Sequence, residues 1–464
     1  MAAFRSVSVD AQSRARRWDA IVLGSGVASL VTAARLGMRE LRVLILEEPA
    51  CAELPLCMRE PPLFSSPGDA FETVLRELRV ALIDRRRFSP RVLAHQVVGP
   101  GLRVDIGGLE QTANELVTWG FAKPNVATAL IESLDQAAQS EGDHLFQSPL
   151  VRAPRLLGLG RGGAPPRGGT RGLPPEVAAV DPNLGRLLAA QIRGLGNHAE
   201  AGPSSESCAR RLGAGLQGGL TVKSGAPSLI PILRRRVEAL YGEFRTVDDF
   251  QLVTANGLPG IYHEESKELL LGGALIIGCA PTPLARALGD EKLARTLGAR
   301  TPGAHRRLAL HWRIPRTLLP EGLESPLIAL TRPDADDPQE GIVTLNVTTS
   351  ESGEDEYDLI ARTLLAADES EADADSRVSD WLHTLIPFAT EKIVRCQHVL
   401  PSWDGDDWLE AQPLGREWPG EGHFRVGQRP PVYRLDRPAI AGLGLEGDLL
   451  LGWRAGDAIA EDMT

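Results

Sequence analysis

Asp19-Ala20-Ile21-Val22-Leu23-Gly24-Ser25-Gly26-Val27-Ala28-Ser29-Leu30 opens the stretch that decides the fold, and Leu41-Arg42-Val43-Leu44-Ile45-Leu46-Glu47-Glu48 closes it. A short apolar strand runs into a glycine turn, the spacing over Leu30–Leu36 predicts a helix, and a second apolar strand ends in two acids. In such a unit the first glycine permits a tight turn and the second lets backbone approach a pyrophosphate. The helix N-terminus adds free N–H groups and partial positive charge. An acid about 20 residues further on accepts the ribose hydroxyls. Gly24-x-Gly26 is a weak signal alone in a chain with 48 glycines, and its strand–turn–helix–strand context is what makes it a dinucleotide-binding reading. Ser29 stands where the usual third glycine sits, small enough for helix and strand to pack. The plain alternative is an α/β unit that keeps this shape and binds nothing.

The 464 residues suggest roughly two or three domains and are ample for a large core. A formal charge of −11 argues against a nucleic-acid partner, because phosphate affinity comes from Lys and Arg. Cys51, Cys57, Cys208, Cys279 and Cys396 form no C-x-x-C pair and no metal-ligand spacing with the nine histidines. They fit a reducing, cytoplasmic setting, and no metal is expected. Arg16-Arg17 before an apolar segment resembles a twin-arginine signal, but that segment contains Asp19 and runs into the turn and helix, so a folded unit is read there. The longest apolar run, Leu269–Ala280, falls short of the roughly 18 residues of a membrane span, which leaves at most peripheral membrane contact.

Beyond Glu48 the prolines at 55, 61, 62 and 67 break any long element, and a helix resumes over Ala70–Leu78. Gln96–Val98 and Leu102–Ile106 flank Gly99-Pro100-Gly101 as a β-hairpin. Asn125–Ala138 has helical spacing, and Arg152–Gly172, rich in Gly, Pro and Arg, reads as an exposed loop. After Gly218-Gly219 come a helix over Leu229–Tyr241, an alternating strand over Phe244–Leu252, a small antiparallel meander, and Ala274–Ala280 as a central parallel strand. Strands are expected at Leu308–Trp312, Ile328–Leu330 and Gly341–Val347. The acidic stretch Glu351–Asp375 reads as a solvated linker and helix face, and Ser379–Ile386 as a helix ending at Pro387. Near the C-terminus, Gly442, Gly444 and Gly447 let backbone pass close to a ring or phosphate, and Leu449–Ala460 is a helix whose N-terminus can face an anion.

In this order and spacing the regions resemble the flavin-dependent amine oxidase and phytoene desaturase superfamily. Gly24-Ser25-Gly26-Val27-Ala28-Ser29 with Glu47 and Glu48 resembles its first FAD motif, and Arg437 through Asp448 resembles the segment that passes the flavin and opens the last helix. The resemblance implies FAD contacts from Arg437, Gly442, Leu443, Gly444, Leu445, Glu446 and Gly447, and a place for Phe250 against the cofactor. Two departures stand out: Asp436 brings a negative charge near the phosphates, and the family's arginine-glycine-glycine motif is absent from Glu48–Phe71. The implied fold class is α/β, a doubly wound FAD-binding, Rossmann-like domain with an inserted α+β substrate domain. Residues 1–110, 211–300 and 425–464 are assigned to the first, and 111–210 and 301–424 to the second.

With FAD bound, the cofactor supplies the redox chemistry and the protein positions a substrate, small or apolar, an amine or isoprenoid among the options. No catalytic residue is named. His311 beside Trp312, His398 before Pro401 and Lys223 are considered, but a lone histidine carries no partner in sequence and a solvated lysine is the default. No nucleophile-elbow context appears, which disfavours a hydrolase. Two alternatives stay open: a flavoprotein-like scaffold serving as a binding subunit without catalysis, and an NAD-dependent dehydrogenase that leaves the C-terminal glycine segment unexplained.

Overall fold

A computed structural model describes residues 4–7, 14–63, 70–147, 151–152, 182–196, 205–222, 229–297, 304–323, 325–331, 341–350, 353, 355–365, 369–405, 408–410, 422–423, 425–427, 430–435, 437 and 443–463. The elements that position the site begin with β1 (Arg14–Leu23), α1 (Val27–Gly37), β2 (Val43–Glu47), α2 (Leu56–Arg59) and the hairpin β3 (His95–Gly99) and β4 (Leu102–Ile106). Helices α3 (Pro182–Leu195), α4 (Ser205–Leu216) and α5 (Leu229–Glu238) follow, then β5 (Glu243–Thr246), β6 (Phe250–Ala255), β7 (Leu258–His263) and β8 (Glu268–Ile277). The rest are β9 (Ala304–Pro315), β10 (Leu327–Leu330), β11 (Ile342–Thr349), β12 (Glu356–Leu364), α6 (Glu371–Leu385), β13 (Val394–Cys396), β14 (Val432–Arg434) and α7 (Leu445–Met463).

The first sheet runs β6-β7-β8-β1-β2-β5, with β14 also on β8. β8, β1, β2 and β5 are mutually parallel, and β6-β7-β8 is the antiparallel meander. Strands buried on both faces read as continuous apolar runs, and Ala20–Leu23, Val43–Leu46 and Ala274–Ile277 are wholly buried. Helix α1 is buried nearly all round because it lies between this sheet and α7. Gly452 and Gly456, one turn apart on α7, permit that approach: a Cβ at Gly452 would lie 2.5 Å from the Ala28 carbonyl oxygen, and one at Gly456 2.4 Å from Arg35 Cβ.

The second sheet runs β13-β9-β12-β11-β10-β3-β4, antiparallel except for β10 beside β3. This α/β pairing of a doubly wound sheet with a second, mixed sheet is the fold class expected from sequence. Two details differ. The hairpin at 95–106, expected with the nucleotide-binding part, pairs in the second sheet. The acidic stretch expected as solvated linker contains β12, where Asp358 and Leu359–Ala361 are buried, because β12 lies inside the second sheet between β9 and β11 and its apolar run Leu359-Ile360-Ala361 outweighs the charge on either side. The expected loop at 153–172, Lys223, Asp436 and Gly442 lie outside the described residues.

Candidate functional site

The register of the first sheet sets Leu23 beside both Leu46 and Ile277, so three parallel strands end level with one another. The turn, the ribose-type acid and Gly278 therefore emerge side by side. Gly24 takes φ +100°, and a Cβ there would sit 3.1 Å from Asp404 Oδ1 and 3.2 Å from the Cys279 nitrogen. A Cβ on Gly278 would fall 1.9 Å from Ser29 Oγ. The close packing that the third glycine of the motif usually provides from the helix is provided here from the strand.

A cavity of about 100 Å³ opens at this edge, between the turn residues Ser25–Val27 and the first turn of α7 at Gly444, Leu445 and Asp448. Arg59, Arg306, Arg307, Arg362 and Arg437 line it with the apolar Leu54, Met58, Ile230 and Leu400. A chain of net charge −11 thus concentrates five guanidinium-bearing residues around one small space. Arg437 is aimed by a two-bonded pair with Asp448, Nε to Oδ1 and Nη2 to Oδ2, both 2.8 Å. Arg362 spans from β12 to the carbonyls of Met58 and Glu60, at 2.9 and 3.0 Å, and so ties α2 to the second sheet.

The acids are less open than the motif suggests. Glu47 is 4% exposed and clasped by Arg234, at 2.8 and 3.1 Å, and by Arg59 at 3.2 Å. Arg59 also donates to Ser25 Oγ at 3.3 Å, so a cation does reach the turn although the arginine-glycine-glycine motif is missing. Glu48 points elsewhere: its carboxylate accepts the backbone N–H groups of Ser402, Trp403 and Asp404 at 2.8 to 3.1 Å. The segment held this way sets the Asp404 carboxylate against the turn, where it accepts from Ser25 N at 2.9 Å and Ser25 Oγ at 3.0 Å.

Of the residues singled out from sequence, Ser25, Gly26, Val27, Arg437, Gly444 and Leu445 line the cavity. Ala28 and Ser29 are buried in α1 behind it. Leu443 is buried with its carbonyl accepting from Arg211, and Gly444 takes φ +56° where any Cβ would strike the Leu195 carbonyl oxygen at 2.2 Å. Three others do not line the cavity. Glu446 turns away to a buried pair with Arg210, Nη2 to Oε1 at 2.6 Å, and Gly447 is buried beside it in the helix. Phe250 does not line the cavity but packs edge-to-face on Trp403, centroids 5.6 Å apart, behind the Asp404 segment.

The two histidines taken singly in sequence are partners. His311 on β9 and His398, just beyond β13, lie 2.8 Å apart, Nδ1 to Nε2, with rings 12° from parallel. His311 Nε2 is 2.8 Å from Asp358 Oδ1 on β12, and Ser350 and Arg313 donate to the same oxygen at 3.1 and 3.3 Å. Burial pushes the Asp358 carboxyl up, but the hydrogen bonds from His311, Ser350 and Arg313 outweigh it and hold the group below the usual range. Cys57 Sγ, an imidazole nitrogen of His311 and an Asp358 oxygen lie within 4.8 Å of one another, a three-atom set that can also be read as metal ligands. Asp358 had no signal of its own in an acidic stretch, and the histidines meet only through strand pairing.

No protein-family model matches the sequence, and no curated protein does either. Solved structures do match over nearly the whole length. A putrescine oxidase with redesigned cofactor binding is 14% identical, with 97% of this chain and 99% of that chain covered and a TM-score of 0.56. The chain has the amine-oxidase fold. Cyclohexylamine oxidase from Brevibacterium oxydans, 15% identical with 96% and 99% covered, gives 0.53, and an oxidoreductase from Methanosarcina mazei, 13% identical with 96% and 100% covered, gives 0.56. The resemblance read from the sequence thus holds at the level of fold. Among the described residues no helix is long and apolar enough to cross a membrane.

Proposed function

We propose that the protein is an FAD-dependent oxidoreductase acting on a small molecule with an apolar part, amines and isoprenoids among the options. The observation that carries this reading is the cavity itself. Two helix N-termini and five arginine residues converge on it, a donor set suited to a dinucleotide pyrophosphate. The amine-oxidase fold, with its putrescine and cyclohexylamine oxidase neighbours, supports the same reading. FAD would supply the hydride-accepting chemistry. Within the chain, Ser25–Val27, Arg59 and Arg437 would hold phosphates, while Leu54, Met58 and Leu400 keep water from the apolar part. The proposal further takes the first sheet and its helices as the cofactor unit and the second sheet as the substrate unit. It places the protein in the cytoplasm, supported by five cysteines that stand outside disulfides.

A second reading, a scaffold that binds partners without FAD, is favoured by Asp404 on the Ser25 N–H and by the arginine clasp on Glu47. Both occupy groups that a dinucleotide would use. The visible spectrum of the purified protein, followed by titration with added FAD, separates the two. Flavin bands near one per chain support the oxidoreductase, and no uptake of added FAD supports the scaffold.

A further inference from the structure

We propose that His398 is a proton-accepting base facing a groove, with Asp358 and His311 as the positioning residues that make it one. The role it would serve rests on the oxidoreductase reading, since oxidation at carbon next to nitrogen or oxygen leaves an N–H or O–H proton to be removed.

The hydrogen-bond order determines the tautomers. Asp358 sits 2% exposed and accepts from Ser350 and Arg313, so its carboxylate also accepts from His311 Nε2–H. Neutral His311 then has a lone pair at Nδ1, which accepts from His398 Nε2–H. That leaves the lone pair of neutral His398 on Nδ1, for which no partner exists among the described residues. The chain ends at the right place. His398 lines a groove of about 560 Å³ that shares Met58, Arg306, Ala309, Leu400 and Pro401 with the cavity assigned to the cofactor. His311 itself is fully buried and cannot meet substrate, which restricts it to positioning.

The step is a proton transfer alone. An ammonium N–H or hydroxyl O–H bond of the ligand breaks, its electron pair stays on the ligand, and an N–H bond forms at His398 Nδ1. The new positive charge is shared toward Asp358 through His311. The charged groups around His398 do not defeat it: Arg395 is paired with Asp375 and Arg306 with Glu371, and Arg286 and Arg313 complete the surroundings together with the thiols of Cys57 and Cys396.

The test needs no substrate. Diethyl pyrocarbonate acylates neutral, accessible imidazole nitrogen, and mass spectrometry reads each histidine separately. In the protein as purified, His398 is expected to be labelled rapidly at pH 7, and Asp358→Asn and His311→Gln to slow it by about tenfold while other histidines keep their rates. Asp358→Glu should restore most of the rate. Should Asp358→Asn fail to fold, with all histidines labelling fast, His311→Gln carries the comparison. Unchanged His398 labelling in the folded variants, or no labelling in the wild type, overturns the proposal. So does about one zinc per chain with labelling that appears only after chelation, since the Cys57, His311 and Asp358 set would then be a metal site. Flavin content measured on the same samples keeps the questions apart. Relay-dependent labelling without FAD uptake retains the base and rejects the oxidoreductase, whereas FAD uptake with relay-independent labelling does the reverse.

Discussion

Replacing Asp404 by alanine should make FAD bind more tightly, because the wild-type carboxylate holds a position that a phosphate needs. The structure gives both sides of the balance. Asp404 is 5% exposed and accepts from Ser25 N, Ser25 Oγ and Glu48 N at 2.9, 3.0 and 3.3 Å. A phosphate entering beside it would meet a like charge, worth about 4 kcal/mol at 4 Å and an effective dielectric of 20. Alanine removes that repulsion and frees the Ser25 N–H. It also gives up charged hydrogen bonds of about 1.5–3 kcal/mol each, a loss felt by the empty protein rather than by the complex. The segment stays placed, since Glu48 still holds the N–H groups of residues 402–404. The cavity, at about 100 Å³, also lies below the roughly 300–1,000 Å³ of ligand pockets, as it should if Asp404 closes it. After loop relaxation a net gain of about 1.5–3 kcal/mol remains, roughly ten- to a hundredfold in Kd. Quenching of FAD fluorescence on titration reads this directly. Weaker binding by Asp404→Ala than by wild type would refute the reasoning, because Asp404 would then be organising the turn for the cofactor instead of competing with it.

Other substitutions test the surroundings. Glu47→Ala leaves Arg59 and Arg234 without their shared buried acid and should cost about 3–5 kcal/mol of stability in urea unfolding, in addition to any loss of FAD affinity. An unchanged unfolding midpoint would show that the clasp is not formed. Burial raises the Glu60 pKa to about 7 from 4.5, despite N–H bonds from Leu229 and Ile230 at the start of α5. The native state therefore disfavours its ionisation: the stability contribution is full below about pH 4.5 and lost by about pH 7, roughly 3 kcal/mol in all. Glu60→Gln should flatten that slope when unfolding is followed from pH 4 to 8; an unchanged slope assigns the pH dependence elsewhere. Gly278→Ala forces a Cβ to 1.9 Å from Ser29 Oγ and 2.9 Å from the Leu23 carbonyl oxygen, and should destabilise by about 1–3 kcal/mol. Adding Ser29→Gly should recover part of that loss, and strict additivity of the two changes would show that they do not share one packing site.

The turn was legible because three local signals agree over thirty residues: apolar runs of strand length, glycines at the turn, and an acid at the end of the second strand. The parallel strand at 274–277 was legible for the same reason. Strand β12 was not, since a window of acidic residues masked six buried positions within it. What sequence could not supply were the partners. Asp404 is 379 residues from Ser25, Arg234 is 187 from Glu47, and His398 is 87 from His311. No periodicity links such pairs, because each is made by the tertiary packing of separate elements rather than by the spacing of residues along one element.

That difference bears on how the site should be judged. A motif specifies which backbone groups are free to bind a phosphate, and Gly24–Ser29 does so here. Whether they are free depends on side chains brought in by other elements, and Asp404 arrives on a segment that Glu48, the second acid of the motif, holds in place. The motif thus contributes one acid, Glu47, to an arginine clasp and uses the other to seat a competitor for its own turn. Arg59, which answers Glu47, also belongs to the cationic lining that a pyrophosphate requires. A dinucleotide phosphate would take the place of the Asp404 carboxylate at the turn, among the same lining cations. Binding would then be an exchange of anions, so added salt should weaken FAD binding to Asp404→Ala more steeply than to wild type, where expelling one carboxylate offsets the charge brought in.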